Sequence, residues 1–292
     1  MVISNIIGGL GNQMFQYAAG TAVALKSGQG LKVDITDFSG YQLHHGFELN
    51  RLFNCDAEIA SHRDISSILG WQAVKLAKRF LKKPQLKLLR CKSFVVEQHY
   101  HYWHGLNEVK GNAYLVGYWQ SEKYFADYAY KIRDDFTFKL SFSSENSKIA
   151  DKILNVNAVS LHVRRGDYVS DSKNSFIGVC PLDYYQKAIA YIKSVVVSPV
   201  FYIFSDDIYW VKSHLVLNSP AVFVSHNQGA ESYNDMRLMS MCKHHIIANS
   251  SFSWWGAWLN ANPDKIVIAP KKWFASDQFD NSDLLPLSWI KI

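Results

Sequence analysis

The sequence predicts an α/β fold with a parallel sheet, and the regular alternation of its second half is the main evidence. Short apolar runs typical of buried strands occur at 157–163, 200–205, 221–225, 245–248 and 265–268. Segments with helical spacing of apolar residues separate them, at 181–195, 207–217, 230–243 and 251–260. Strands that alternate with helices in this way form a parallel sheet with helices on both faces.

The first half is less regular but contains the same two kinds of element. Strands are predicted near 2–6, 31–35, 93–97 and 113–118. Helices are predicted near 13–27, 62–82, 121–135 and 144–154. The polar, glycine-containing stretch 37–50 predicts a loop or a lid. Because 292 residues can fill two compact lobes, we expect one lobe at 1–154 and a second at 155–292.

Composition disfavours several classes of protein. A hydrophobic share of 48% and a charged share of 19% are those of a globular chain rather than a disordered one. The four cysteines lie far apart without a C-x-x-C pair, which disfavours a zinc site or a disulfide framework and favours a reducing compartment. We expect neither a signal peptide nor a membrane span, because no run of about 20 apolar residues is present.

The N-terminal segment 6–18 predicts a strand that runs through glycines into a helix. Such a turn brings backbone N–H groups and a positive dipole end to an anionic ligand. It is not a dinucleotide fingerprint, because Met14 stands where the third glycine after Gly9 and Gly11 would be. A nicotinamide or flavin enzyme is therefore disfavoured. The alternative is an ordinary strand–turn–helix with Asn12 as the helix cap.

The segment 159–168 predicts an apolar strand that ends in Arg164, Arg165, Gly166 and Asp167. Each guanidinium offers a planar fork of donors that matches phosphate oxygens. Gly166 permits a sharp turn, and Asp167 can orient an arginine or accept a proton. The alternative is a surface loop with a local ion pair.

A third segment, 245–259, again runs from an apolar strand through a polar turn into a helix. The turn residues Asn249, Ser250 and Ser251 are good helix caps, so the helix is predicted to begin at about 250–252. Its first amides and the serine hydroxyls would form an anion site. The tryptophans of this helix are expected in the core. The alternative is a capped core helix that binds no ligand.

The candidate phosphate ligands all follow strands of the predicted second sheet. Asp206 and Asp207 follow a second strand and His226 a third, and the carboxyl ends of parallel strands form one ligand site. The alternative for the two aspartates is the start of a helix before Trp210. A metal-binding aspartate pair is disfavoured, because the arginines and the helix end can neutralise a diphosphate without a divalent ion.

Together these segments resemble the bacterial α-1,2-fucosyltransferases of glycosyltransferase family 11. The shared motifs are Gly8–Gln16, His162–Asp167, Phe204–Asp207 and the block from Asp235 to Trp258. The resemblance extends from residue 2 to about 275. The arginine motif is common to several fucosyltransferase families, whereas the N-terminal glycine block and the serine–tryptophan block are more specific.

The resemblance implies two Rossmann-like lobes in the B-type glycosyltransferase architecture, with an interlobe cleft. The first lobe would bind the acceptor and the second lobe the nucleotide sugar. The implied reaction is the inverting transfer of L-fucose from GDP-β-L-fucose to the 2-hydroxyl of a galactoside, in the synthesis of O-antigen or another surface glycan. GDP-fucose is then the co-substrate, with no metal and no other cofactor. Two alternatives stay open, a transferase for a different nucleotide sugar and a non-catalytic glycan-binding module.

The resemblance and the strand ends together assign roles to residues. The predicted catalytic group is Arg164, Asp167, His162 and Asn12. The predicted donor-binding residues are Gly11, Gln13, Arg164, Arg165, Asp206, Asp207, His226, Asp235, Asn249, Ser250, Ser251, Phe252 and Ser253. Guanine recognition needs a carboxylate, for which Asp207 and Asp235 are the candidates. Asp167 is a candidate general base, although pairing with an arginine would lower its basicity, and a carboxylate of the first lobe is the alternative.

A strongly basic segment lies between residues 71 and 93. It holds no acidic residue, and its basic residues are Lys75, Lys78, Arg79, Lys82, Lys83, Lys87, Arg90 and Lys92. Interleaved apolar residues predict an amphipathic helix, and two interpretations of its basic face stay open, a solvated face of the lobe and a face that rests on anionic lipid. Nucleic acid is disfavoured as a partner, because no nucleic-acid-binding motif is present. Animal members of the family carry a membrane anchor, and the sequence predicts none here. We therefore expect a cytoplasmic enzyme, peripheral at the inner face of the plasma membrane, with a lipid-linked galactose-containing acceptor.

Overall fold

The computed structural model of the chain describes residues 1–40, 45–166, 178–276 and 280–292. The chain divides into two compact units. The first comprises Met1–Lys139 with Ser282–Leu284, and the second comprises Leu140–Asn281 with Leu285–Ile292. No helix in the described part of the chain combines the length and the apolar character that crossing a membrane requires.

The first unit is built on a parallel five-stranded sheet. Its strands are β1 (Val2–Asn5), β2 (Leu31–Asp34), β3 (Glu58–Ile59), β4 (Phe94–Val96) and β5 (Ala113–Val116). They pair in the order β3-β2-β1-β5-β4, so the buried strand β1 lies at the centre. Its α-helices are α1 (Leu10–Lys26), α2 (Leu49–Leu52), α3 (His62–Leu69), α4 (Lys75–Leu81) and α5 (Ala129–Asp135).

Helix α1 packs directly on β1 because a glycine faces the sheet. A Cβ atom at Gly20 would lie 3.0 Å from Ser4 Cβ and 3.0 Å from Leu31 Cδ1, so a larger residue would push the helix away. Ser4 Oγ also donates a hydrogen bond to the carbonyl of Gln16 at 2.8 Å. The N-terminus of α1 is thereby fixed over the carboxyl end of β1.

The predicted helix 62–82 is wrong as a single element. A capping box between Ser61 and Asp64 starts α3, and Gly70 ends it in the left-handed region at φ +57. A short 3-10 turn, Gly70–Ala73, precedes α4. The predicted helix 121–135 is likewise shorter, because two 3-10 turns come before α5.

The second unit has a parallel six-stranded sheet and helices on both faces, as predicted. Its strands are β6 (Asn157–Val163), β7 (Pro199–Ser205), β8 (Ala221–Val224), β9 (His244–Ile246), β10 (Val267–Ala269) and β11 (Ile290–Lys291). They pair in the order β11-β10-β9-β6-β7-β8. Within the described residues its α-helices are α6 (Ser144–Leu154), α7 (Leu182–Val195), α8 (Ile208–His214), α9 (Tyr233–Met241) and α10 (Ser251–Leu259).

Alternation along the central strand β6 separates two cores. Leu161 faces the cluster that includes Ile189 of α7 and Val211 of α8. Ala158 faces the opposite cluster, with Ile153 of α6 and Leu238 of α9. The three tryptophans of α10 are buried as predicted. The α/β class with two Rossmann-like units is therefore confirmed, and the interlobe cleft stays a prediction.

The structure places the start of the second unit at residue 140 rather than at 155. The two boundaries differ mainly by helix α6, because its position in the sequence predicts that it belongs to the first lobe. Its apolar residues Ala150 and Ile153 pack with Ala158 and Leu238 in the core of the second unit. The helix therefore covers the second sheet, although it precedes the first strand of that sheet.

One buried ion pair fastens α4 to the first sheet. Lys78 Nζ lies 2.8 Å from Asp34 Oδ2, and both side chains are almost completely buried. Tyr114 donates a second hydrogen bond to the same carboxylate. Burial alone raises the pKa of Asp34, but the hydrogen bonds from Lys78 and Tyr114 outweigh it and hold the pKa below its ordinary value.

We expect Lys78→Ala to destabilise the protein by about 3–5 kcal/mol, because it leaves the Asp34 carboxylate buried without its cation. Lys75→Ala, at an exposed position of the same helix, should change the stability by less than about 0.5 kcal/mol. Urea unfolding of both variants measures the difference. Because the folded pKa of Asp34 is depressed, the wild type should also lose stability as the pH falls through that pKa. Equal unfolding midpoints for the two variants would contradict this account.

Candidate functional site

The sheet register of the second unit brings the ends of β6 and β7 together. Val163 pairs with Ser205 at the last position of the ladder, so the residues after both strands are neighbours. The arginine pair Arg164 and Arg165 follows β6, and Asp206 follows β7. The predicted juxtaposition at the carboxyl edge of the sheet is what the structure shows.

Asp206 closes the loop that carries the arginine pair. Its Oδ1 accepts from the Arg165 amide at 2.9 Å, and its Oδ2 accepts from the Gly166 amide at 3.0 Å. Arg164 Nη1 lies 3.1 Å from the same Oδ2. A Cβ at Gly166 would lie only 2.8 Å from that oxygen, so a side chain here would displace the carboxylate. Asp206 is therefore a positioning residue that shapes the loop.

The second arginine is held by an aromatic ring and by a helix cap. The Arg165 guanidinium carbon lies 3.7 Å from the ring centroid of Trp210, which is a close cation–π contact. Its Nε lies 3.6 Å from Asp207 Oδ2. Asp207 Oδ1 accepts from the Trp210 amide at 3.1 Å and caps α8. The alternative that Asp207 starts a helix is thus confirmed.

His162 is buried beneath the arginine loop and is neutral. Burial lowers its pKa to about 4, while Asp206 opposes this shift and Arg164 adds to it. Its ring centroid lies 5.9 Å from that of Phe252 in the first turn of α10. Within the described residues its Nδ1 has no hydrogen-bond partner. A buried, neutral ring of this kind cannot serve as an acid near neutral pH.

The polar turn before α10 is largely used within the protein. Asn249 donates to the carbonyls of Gly178 and Trp273 at 3.0 Å each, and the Cys180 thiol donates to its Oδ1. Its side chain therefore fastens two loops to the sheet edge instead of facing a ligand. The sequence predicts Asn249 in the donor site, whereas these hydrogen bonds give its side chain a structural role.

The two buried serines of α10 also have partners inside the fold. Ser250 Oγ caps the helix by accepting from the Phe252 amide at 3.3 Å, and Ser253 Oγ donates to the Ser250 carbonyl at 3.3 Å. Ser251 and Phe252 keep partial exposure in the first turn. Helix α10 begins at Ser251, as predicted, a few residues after β9, and β9 lies beside β6. The positive end of α10 therefore lies at the same sheet edge as the arginine pair.

A second polar network follows the edge strand β8. His226 Nε2 lies 2.8 Å from Asn146 Oδ1, and Asn227 Nδ2 donates to the same oxygen at 3.0 Å. Asn227 Nδ2 also donates to Asp235 Oδ1 at 2.8 Å. Burial raises the pKa of Asp235 to about 7, and the Asn227 bond lowers it only in part. The structure thus joins His226 and Asp235 in one network, and the arginines with Asp206 and Asp207 in another.

The glycine turn of the first unit differs from its predicted form. Gly9 caps α1 without a side-chain hydrogen bond, and the helix begins at Leu10 followed by Gly11. The alternative with Asn12 as the cap is therefore wrong, because Asn12 already lies inside the first turn. Asn12 Oδ1 accepts instead from Gln120 Nε2 at 2.8 Å.

Gln13 has a structural role rather than a donor-binding one. Its side-chain amide donates to the carbonyls of Gly8 and Gly46 at 2.9 and 2.7 Å, and its Oε1 accepts from the Glu48 amide at 2.9 Å. The residue is fully buried, so its side chain cannot touch a ligand. It ties the glycine turn to the segment before α2.

Sequence reasoning did not single out Glu97, which follows β4 at the carboxyl edge of the first sheet. Its Oε2 accepts from the Tyr118 amide at 2.7 Å, and its Oε1 accepts from the Trp119 amide at 2.9 Å. Burial raises its pKa to about 7 against the lowering effect of these two bonds. A Cβ at Gly117 would lie 2.5 Å from Glu97 Cβ, so the contact needs glycine. The only signal in the sequence was a lone acidic residue directly after an apolar strand.

Asp167, the predicted base, lies outside the described residues. Among the residues that the structure describes, no group of three or more histidine, cysteine or acidic side chains is arranged to hold a metal ion.

Two parallel α/β units, with paired guanidiniums and a helix N-terminus at one sheet edge of the second unit, are the features of an enzyme class that handles phosphate-bearing substrates. The chain belongs to glycosyltransferase family 11, whose family model matches residues 75–292. The arginine pair and the turn before α10 both fall within the matched region.

Two curated relatives cover nearly the whole chain. An α-1,2-colitosyltransferase of Escherichia coli is 38% identical over 100% of this chain and 99% of its own length. The O-antigen biosynthesis glycosyltransferase WbnK of Escherichia coli is 37% identical over 99% of each chain.

Among solved structures, the fucosyltransferase NodZ from Bradyrhizobium matches with a TM-score of 0.52 and 16% identity, covering 88% of this chain and 90% of that one. This likeness bears on the fold alone, and it agrees with the predicted pair of Rossmann-like units.

Proposed function

We propose that the protein transfers L-fucose from GDP-β-L-fucose to the 2-hydroxyl of a galactoside acceptor, with inversion to an α-1,2 linkage. The arginine loop of the second unit carries the proposal, because it presents two oriented guanidiniums beside the positive end of α10. The α-1,2 linkage is also the one named for the colitosyltransferase relative, and O-antigen is the glycan named for WbnK. We therefore infer a surface glycan as the acceptor.

The arginine loop is suited to stabilising the leaving diphosphate. Inverting transfer passes through an oxocarbenium-like state in which negative charge grows on the leaving group. Arg164 and Arg165 each offer a planar fork, and their orientation is set by Asp206 and Trp210 before any ligand binds. The first turn of α10 adds backbone N–H groups at the same edge.

Asp235 is the better of the two candidates for binding guanine. Both oxygens of Asp207 face the protein, one as a helix cap and one toward Arg165. Within the described part of the chain the Asp235 carboxylate accepts from one donor, Asn227, so more of its hydrogen-bonding capacity is left for guanine. Guanine N1–H and N2–H₂ would supply further donors, and hydrogen bonds to the charged form lower the pKa from about 7 so that the carboxylate ionises on binding.

We propose Glu97 as the first-unit candidate for the general base, beside Asp167. Two backbone amides fix its carboxylate at the sheet edge where ligands of parallel sheets bind. A carboxylate with a pKa of about 7 accepts a hydroxyl proton far better than an ordinary one. Its neighbours Tyr100, Tyr118 and Tyr124 are neutral phenols whose own pKa values are raised by burial.

GDP-colitose is the second candidate donor, because a relative that matches over its full length is named a colitosyltransferase. Colitose is L-fucose without its 3-hydroxyl, so the two GDP sugars share every group that the arginine loop and Asp235 would contact. A site that hydrogen-bonds the 3-hydroxyl rejects the deoxy sugar strongly, whereas an apolar wall at that point discriminates only weakly.

We infer a cytoplasmic location from the thiols. The four cysteines, Cys55, Cys91, Cys180 and Cys242, are all free, which fits a reducing compartment.

Competition between GDP-fucose and GDP-colitose tests the donor. With the purified chain and a panel of β-galactosides, we expect a higher kcat/KM for GDP-fucose, an α-1,2 product by linkage analysis, and turnover that survives EDTA. A higher kcat/KM for GDP-colitose would assign the second donor. Turnover that EDTA abolishes and Mg²⁺ or Mn²⁺ restores would contradict the metal-free mechanism.

Arg164→Ala and Arg165→Ala should each lower turnover by about 10²–10³-fold, equivalent to about 3–4 kcal/mol of transition-state stabilisation. Lysine at either position should recover only part of this, because an ammonium lacks the planar fork. The exposed Arg63→Ala is the matched control, and thermal midpoints report whether each variant is folded. Near-normal turnover in both alanine variants would refute the phosphate assignment.

Glu97→Gln should lower kcat by about 10²–10⁴-fold while GDP affinity stays within a few-fold, because the base acts in the chemical step. The wild-type kcat, measured at saturating GDP-fucose so that bound guanine keeps Asp235 ionised, should rise with pH through about 7 as the Glu97 carboxylate ionises, and this limb should be missing from the variant. The exposed Glu108→Gln is the control. If Glu97→Gln keeps the acid limb and Asp167→Asn loses it, Asp167 is the base.

A further inference from the structure

The basic segment, residues 71–92, has an inner face and an outer face. Its inner face supplies Ala73 and Leu81 to a buried cluster that also contains Ile68 and Phe94. Gln72 ties its two ends together, since its side chain donates to the Leu89 carbonyl at 2.9 Å and accepts from the Cys91 amide at 3.1 Å. The inner face of the segment therefore packs into the core of the first unit, and the side chains that remain exposed lie on the outer face.

The outer face is unusually apolar for a solvent-exposed surface. The fractional exposure of Leu88 is 95% and that of Trp71 is 68%. The other large apolar side chains exposed on the segment are Val74, Leu76, Phe80 and Leu89. Several large apolar side chains left exposed on one short segment favour a contact with a partner or a membrane.

The cations of the segment fall into two groups. Lys78 pairs with Asp34, Lys82 pairs with Asp37 at 2.7 Å, and Arg90 donates to the carbonyls of Leu81 and Lys83. These three serve the fold. The remaining basic residues are exposed and alternate with the apolar ones, namely Lys75, Arg79, Lys83, Lys87 and Lys92. Between residues 71 and 93 the sequence holds no acidic side chain that could neutralise them.

We propose that the outer face of the basic segment docks on a bilayer that contains anionic lipid. Such a surface offers negative headgroups to the five cations and an apolar interior to the side chains between them. Tryptophan and phenylalanine suit the boundary between the headgroups and the apolar interior, and the long lysine side chains reach from this boundary to the headgroups. The docking does not depend on which GDP sugar the second unit binds.

Charge and chemistry argue against other occupants. A second copy of the chain that used this face across a two-fold axis would set five cations against five cations. Nucleic acid would satisfy the lysines but would leave Leu76, Leu88 and Leu89 against a charged backbone. An anionic bilayer satisfies both sets of side chains at once.

Co-sedimentation with vesicles tests the proposal on the full chain. We expect at least tenfold stronger binding to phosphatidylcholine vesicles that contain phosphatidylglycerol than to phosphatidylcholine alone, and weaker binding in high salt. The triple variant Lys75→Glu, Arg79→Glu and Lys87→Glu should lose this preference. Trp71→Ser with Leu88→Ser should weaken binding in high salt as well, because it removes the apolar part of the contact.

The matched control is a second triple variant with the same change in charge, at exposed lysines of the second unit, Lys148→Glu, Lys152→Glu and Lys193→Glu. It should bind as the wild type does. Equal binding of the wild type to both kinds of vesicle would overturn the proposal, and so would an equal loss in the two triple variants. A lipid-free dimer that dissociates in the Trp71→Ser, Leu88→Ser variant would assign the face to a second copy instead.

Discussion

The carboxylate of Asp206 is the contact on which the candidate site depends. Asp206 directly follows β7. Its carboxylate accepts hydrogen bonds from two amides of the loop after β6 and forms an ion pair with one guanidinium of that loop, so it joins two adjacent strands at their carboxyl ends. Asp206 thus orders the backbone of the loop and the Arg164 guanidinium, while Trp210 and Asp207 hold the Arg165 guanidinium. A carboxylate beside the proposed phosphate site looks unfavourable by charge alone. Its benefit is orientation, because guanidiniums that are already fixed lose little entropy when a ligand arrives.

The sequence was sufficient for the architecture because the architecture follows from local signals. Apolar runs of strand length that alternate with helical periodicity define a parallel sheet, and a parallel sheet gathers the residues after its strands at one edge. The placement of Arg164, Arg165 and Asp206 follows from that rule alone. The helix start at Ser251 also follows from local capping chemistry.

Sequence reasoning failed where a residue's role is set by a distant partner. Asn249 was indistinguishable from a ligand-binding cap until its side chain was found to hold the carbonyls of Gly178 and Trp273. Glu97 depends on amides about twenty residues further on, and one of them belongs to Trp119, a non-glycine residue at φ +53. Helix α6 is another case, because nothing in its own periodicity says which of two sheets it covers.

The anchoring of the basic segment has a consequence for how the enzyme would meet its acceptor. Lys78 reaches Asp34 at the last position of β2, and Lys82 reaches Asn5 at the last position of β1, so the segment is fixed to the carboxyl edge of the first sheet. Glu97 follows β4 of the same parallel sheet and lies at the same edge. A bilayer held by the segment would therefore adjoin the edge that carries the proposed base. The search for a lipid-linked acceptor would then be confined to two dimensions, and its rate would follow the surface density of the acceptor rather than its bulk concentration.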